Sequence, residues 1–328
     1  MRVAIQLDAL EDAGSLRAIE RVIDAFLEKR HVWDKDSQDW VLSSVWFTEE
    51  TGDFRRLSVR ESLEKLYTES IYEPLASSRL MHRLQLTITR QPDIKRALPP
   101  DEARRLLESP AYVVVENATS DGTFLRVMMR ALGREELARA LERQWWDIEH
   151  AGGKGEIEKR VAELIKNKRI PADRIMVIAD SDRLFPCQKT ETAKTLTECG
   201  NKHKVTALLL HKREIENYLP VSALQRARQR DAYLAFLELT QEQRDYYDMK
   251  SGFTEDERGD AIIPQEQRQL FGKVRKPVLR ALCGGFGPNV WKLFDSPGHQ
   301  IDAQSVEQTC TTCPREIEGA LDQIERLL

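Results

Sequence analysis

Between residues 111 and 211 the chain alternates short apolar runs with amphipathic stretches, and few architectures accept that pattern. The run "AYVVVE" (111–116) is Val-rich and continuous, as suits a strand buried on both faces. "SDGTFLRVMMRALG" follows, with Phe124, Leu125, Met128 and Leu132 on one helical face and Gly133 at the C-cap position. "EELARALERQ" extends the helical region, "WWDIEHA" reads as the next strand, and "GEIEKRVAELIKNK" repeats Ile157, Val161, Leu164 and Ile165 at helical spacing. "RIMVIAD" and "KVTALLLH" (204–211) give two more strands, with a helix expected across 188–199. Strands alternating with helices of this length predict βαβ units and a parallel sheet, whose working groups lie at the strand C-terminal ends.

Acids stand at those ends. Glu116 closes the first strand, and Asp180 and Asp182 close the third with only Ser181 between them. An ordinary strand end with solvated acids is one reading; a metal site is the other. Carboxylates gathered at one dry sheet edge repel, and a divalent cation removes that cost. Oxygen ligands without His or Cys suit Mg²⁺ or Mn²⁺.

The ordered set of segments resembles the TOPRIM domain, in its OLD-like nuclease branch. "VVVENATSDG" is similar to the first TOPRIM motif, a strand ending in Glu, and "IMVIADSDR" to the second, a strand ending in Asp-x-Asp. "HAGGKGEI" resembles a small-residue turn of that branch, and "LLLHKREIENYLP" its late segment. The resemblance covers about residues 111 to 220. It implies a Rossmann-like parallel sheet flanked by helices over 109–220, preceded by an N-terminal α/β region (1–108) and followed by a mostly helical region (221–328). It further implies Glu116 as metal ligand or general acid/base, Asp180 and Asp182 as ligands, and Glu216 as a carboxylate for a second metal position. Lys212 and Arg213 would then neutralise phosphate, while Gly152 and Gly153 would let backbone approach it. Asp121 follows Glu116 by five residues where the branch spaces four; metal ligand and helix N-cap are both open. A lysine from beyond the core is also implied, with Lys273 or Lys276 as candidates. Asn217 and Tyr218 read as structural residues of their turn.

The flanks are less specific. In the N-terminal region "RVAIQL" and "RLQLTITR" read as strands and "GSLRAIERVIDAFLEKR" as an amphipathic helix. "SVRESLEKLYTESI" carries a Ser58–Glu61 capping box, and "ALPPDEA" (97–103) reads as a joint. Beyond Pro220 helical patterns dominate, with a polar loop at 251–262. The net charge of −4 gives no global field for nucleic acid. The segment 183–230, however, holds ten bases against four acids, either a solvated surface or a phosphate-facing rim. "CTTC" (310–313) is half a zinc spacing without a second half. Five cysteines and no signal-like or membrane-length apolar run predict a cytoplasmic protein.

No strand-passage or primase module is visible, so the expected activity is an Mg²⁺- or Mn²⁺-dependent endonuclease acting on DNA or RNA. The resemblance extends to the TOPRIM effector subunit of PARIS-type anti-phage systems, which implies restraint or activation by a partner ATPase, since the chain has no Walker motif of its own. A homodimer is compatible with this; a membrane is not part of it. The alternatives are an idle TOPRIM-like interaction module and a stable-RNA maturation nuclease.

Overall fold

The computed structural model describes residues 1–72, 85–92, 96–168, 170–227, 229–297, 300–309 and 315–328. Arg228 and the "CTTC" cysteines, Cys310 and Cys313, lie outside these residues. The chain is α/β and divides into two compact units. One comprises Met1–Ala111, Ala140–Asp147 and Gln323–Leu328; the other comprises Tyr112–Arg139 and Ile148–Asp322. No helix among the described residues is long and apolar enough to cross a membrane.

In the first unit the strands are β1 (Arg2–Ile5), β2 (Val32–Trp33), β3 (Gln85–Ile88) and β4 (Ala97–Leu98), ordered β2-β1-β3-β4 and parallel throughout. The helices are α1 (Leu7–Glu11), α2 (Leu16–Leu27), α3 (Lys35–Leu42), α4 (Val45–Thr48), α5 (Phe54–Tyr72) and α6 (Pro100–Glu108). Leu16, Ile19, Val22, Ile23 and Phe26 form the buried face of α2, packed with Val3, Ile5, Leu63 and Leu107 in one core. Each such side chain removed from water contributes about 1.5–3 kcal/mol. Residues 97–103, expected as a joint, are instead the edge strand β4 and the start of α6, which Pro100 opens because its missing N–H is needed by no partner there. The capping box also moves. Helix α5 begins at Phe54, where Asp53 Oδ1 accepts from the amides of Arg55 (2.9 Å) and Arg56 (3.3 Å), and Ser58 is inside the helix.

The second sheet contains β5 (Ala111–Val115), β6 (Trp146–His150), β7 (Ile175–Ala179) and β8 (Thr206–Leu209), in the order β6-β5-β7-β8. The pairs β5–β7 and β7–β8 are parallel. Helices α7 (Ser120–Ala131), α8 (Glu135–Glu142), α9 (Ile157–Lys166) and α10 (Glu191–His203) fall between the strands. The last starts later than 188 because Thr190, not an earlier residue, accepts the Ala193 amide as N-cap. Val161, Leu164, Ile175, Val177, Leu196 and Cys199 form a buried cluster at the heart of this unit. Strand β8 is an edge strand without fully buried residues, so its Leu-rich sequence overstates its burial.

Residues 221–322, expected as a separate helical region, belong to this same unit. The reason is polar as well as apolar. Asn217 Nδ2 donates to the carbonyls of Arg244 (2.7 Å) and Tyr247 (2.9 Å), and Arg213 N donates to Asp245 O (3.0 Å). The polar loop expected at 251–262 contains a short antiparallel pair, Thr254–Glu255 with Ala261–Ile262.

Candidate functional site

Strand order reverses between β5 and β7, so their carboxyl ends flank the crevice where open α/β sheets place ligands. Glu116 leaves β5 and Asp180 leaves β7 at this point. The turn after β7 is built from the sequence Asp-Ser-Asp itself. Ser181 is fully buried and its Oγ donates to Lys212 O (2.7 Å), while Asp182 N donates to Arg213 O (2.9 Å). Asp182 takes φ +54°, a left-handed conformation in which Asp is enriched. The turn thus presents two carboxylates from three residues.

Around this turn the acids form two groups, each tied by a lysine. In the outer group Lys154 Nζ donates to Asp182 Oδ1 and stands 3.6 Å from Glu116 Oε2. Asp182 Oδ2 also accepts from Thr192 Oγ1 (2.7 Å). Burial alone lowers the Lys154 pKa, but the Asp182 hydrogen bond and the charges of Asp182, Glu116 and Asp180 outweigh it and raise the value.

In the inner group Lys250 Nζ stands 3.0 Å from Glu214 Oε2 and 3.0 Å from Glu216 Oε2. Glu216 has no solvent exposure and its carboxyl is pushed up to about 7, first by burial and then by Glu214, against the opposing charge of Lys250. Asp180 is raised well above the usual carboxylate range by burial, with Asp121, Glu216 and Glu214 adding repulsion. Its Oδ1 is buried without a hydrogen-bond partner, and so is Glu216 Oε1. Because its charge acts on both lysines, Asp180 links the two groups.

Asp121 is not the helix N-cap, a position that Thr119 takes; it stands in the first turn of α7 and faces back to the preceding loop. Its Oδ2 accepts from Asn117 N (3.0 Å) and its Oδ1 from Ser120 Oγ (2.9 Å), closing the loop that carries Glu116. Burial raises its pKa as well, and its charge reaches Asp180. His150 Nδ1 accepts from Ala118 N (3.3 Å) and so steadies the same loop.

Of the basic pair, Lys212 is corrected. Lys212 is 1% exposed; its Nζ pairs with Asp245 Oδ1 (2.9 Å) and donates to Asn217 O (3.0 Å) and Thr309 O (2.5 Å). An ammonium so enclosed is unavailable to phosphate. Arg213 is half-buried and paired with Asp248 Oδ2 (2.7 Å). Asn217 and Tyr218 hold the turn, the latter donating to Glu316 Oε2 (2.5 Å). Lys273 is exposed, and Lys276 is exposed beside Asp260 (3.5 Å); the lysine that reaches the acids from beyond the sheet is Lys250. Sequence reasoning missed Lys154, Lys250 and Thr192. The "GGK" turn was a signal for Lys154; nothing near Lys250 marks it.

Beside the Lys154–Asp182–Thr192 contact opens a cleft of about 240 Å³, lined by Lys154, Glu158, Thr192, Thr195, Leu196 and Cys199 among others. Among the described residues no three Asp, Glu, His or Cys side chains are gathered closely enough to hold a metal ion as they stand. The donor chemistry nonetheless fits Mg²⁺ or Mn²⁺: hard oxygens throughout, three of them (Asp180 Oδ1 and both Glu216 oxygens) buried without a hydrogen-bond partner, in a site where acids outnumber bases. No protein-family model, curated protein or solved structure matches the chain.

Proposed function

We propose that the unit containing β7 is a TOPRIM-type, metal-dependent nuclease that cleaves phosphodiester bonds in DNA or RNA. The observation that carries this reading is Asp180: a carboxylate at the sheet's switch point, buried, with one oxygen unpartnered and with Asp121, Glu214 and Glu216 adding repulsion. Such a carboxyl either keeps its proton or is compensated by a cation, and a divalent ion is the compensation that this set of oxygens fits. Glu116, Asp180 and Asp182 would hold one Mg²⁺ or Mn²⁺, and Glu216, with Glu214 beside it, a second. When bound, such ions polarise a phosphate and activate water at neutral pH. Asp121 and His150 keep the Glu116 loop in place, and Lys250 screens Glu214 and Glu216. A role as an anti-phage effector governed by a partner ATPase belongs to the same proposal.

One observation favours a second reading, an idle interaction module: Lys154 and Lys250 already pair with four of the acids without a metal. A cleavage assay separates the two. Plasmid, single-stranded oligonucleotides and total tRNA are incubated with Mg²⁺, Mn²⁺ or EDTA and with wild type, Glu116→Gln or Asp180→Asn. Metal-dependent cutting lost in both variants supports the nuclease and names its substrate; cutting that survives both removes these residues from the mechanism. If nothing is cut, Mn²⁺ titration decides. Binding lost in both variants points to a missing activator, and no binding at all to the idle module.

A further inference from the structure

Lys154 is placed with unusual care for a lysine. Two glycines with positive φ, Gly152 (+89°) and Gly153 (+120°), precede it, and a short 3₁₀ turn, Lys154–Glu156, begins with it. A Cβ on either glycine would meet nothing within 4 Å, so the glycines are required by backbone direction rather than by crowding. That direction carries the ammonium onto Asp182 Oδ1, with Glu116 Oε2 3.6 Å away and the charge of Asp180 also acting on it. These are the three acids that would hold the first metal ion.

A divalent ion that takes Glu116 and Asp182 as ligands takes oxygens that Lys154 now holds. Both cannot keep the same lone pairs, and two cations sharing those acids without displacement repel. Thr192 keeps its bond to the other Asp182 oxygen, so the carboxylate stays oriented when the ammonium leaves. The flanking cleft gives the released side chain somewhere to go, since Lys154 itself lines it.

We infer that Lys154 is a tethered cation that occupies Glu116 and Asp182 in the metal-free protein, competes directly with the divalent ion there, and swings out when the ion binds. The inference rests on the metal-site reading above and goes beyond it by giving the site a built-in competitor, which sets the metal concentration at which it fills. Lys154 acts here on the ligands, so it is a positioning residue.

The test is Mn²⁺ binding to the full chain, read by the electron paramagnetic resonance signal of free Mn²⁺, with no substrate and no activity readout. Lys154→Met keeps the side-chain length and removes the charge; Lys154→Arg keeps the charge; Glu116→Gln removes a ligand. Lys154→Met is expected to bind Mn²⁺ about tenfold more tightly than wild type, equivalent to about 1.4 kcal/mol, with Lys154→Arg near wild type. Should Lys154→Met misfold without metal, Lys154→Gln takes its place, and folding is checked by circular dichroism in EDTA. Unchanged or weaker binding in the neutral variants, with binding still lost in Glu116→Gln, overturns the competitor role and leaves the metal site standing. If no variant and no wild-type protein binds Mn²⁺, the metal-site reading falls and this inference with it.

Discussion

Glu216 Oε2 lies 3.0 Å from Lys250 Nζ, an ammonium that it shares with Glu214, while its other oxygen is buried without a hydrogen-bond partner. The arrangement is poor as a structural ion pair, because such pairs repay their desolvation only when their remaining lone pairs are satisfied. Burial and Glu214 push the Glu216 carboxyl up to about 7 despite the lysine.

This sets a pH dependence. The folded chain binds the Glu216 proton more tightly than the unfolded chain, whose carboxyl titrates near 4.5. Between about 4.5 and 7 the native state therefore carries more protons, and stability falls as pH rises. Over that window Glu216 alone accounts for a loss of up to about 3 kcal/mol in EDTA. Urea unfolding in EDTA at pH 5 and pH 8 measures it, and Glu216→Gln should flatten the difference. A slope of the opposite sign in wild type would show that Glu216 is not held protonated by its surroundings.

Asp180 predicts a trade of stability against function. Its carboxyl is raised well above the usual range by burial first, and one oxygen lacks a partner. Asp180→Asn removes the charge at nearly constant volume. The metal-free variant should be more stable than wild type at pH 8, on the order of 1–3 kcal/mol. With Mn²⁺ added the order should reverse, because wild type alone gains from binding. Thermal melts with and without Mn²⁺ decide this, and an Asp180→Asn protein less stable than wild type in EDTA contradicts it.

The strands of the second sheet were legible because β7 is buried along its whole length, β5 at all but Tyr112, and both are bounded by helices with clear periodicity. Glu116, Asp180 and Asp182 were legible for the same reason: a strand end fixes where its next residue stands. Glu216 was placed by a motif, and the structure adds its burial. Lys212 was misread because charge in a sequence says nothing of enclosure; its partners Asp245 and Thr309 are remote in the chain. Lys250 was invisible for the converse reason, since only the packing of residues 245–250 against the Glu214–Asn217 turn brings it to the acids.

Lys212 should therefore behave as a fold residue. Lys212→Met removes the ammonium paired with Asp245, itself buried, while the Gln241 Nε2 hydrogen bond to Asp245 Oδ1 (2.8 Å) remains. Removing one partner of a buried pair costs about 3–5 kcal/mol. Asp245→Asn in the Lys212→Met background should recover part of it, a coupling that a double-mutant cycle in urea measures. Equal stability of wild type and Lys212→Met would return Lys212 to the list of residues free to meet phosphate.

Gly153 tests how the loop aims Lys154. Its φ of +120° and ψ of 159° lie in a region that only glycine occupies at low cost. Alanine there carries about 1–3 kcal/mol of backbone strain, although its Cβ would meet no neighbour. In the absence of crowding the strain can relax by moving the loop, and the segment most directly displaced is the 3₁₀ turn that starts at Lys154. Gly155 is the matched control: its φ is not positive and its Cβ also meets nothing within 4 Å. Gly155→Ala should stay within about 0.5 kcal/mol of wild type. Gly153→Ala should lose more than this and show faster amide exchange confined to residues 151–156. Protection in that segment equal to wild type would mean that the loop tolerates the strain and that the ammonium's position does not depend on it.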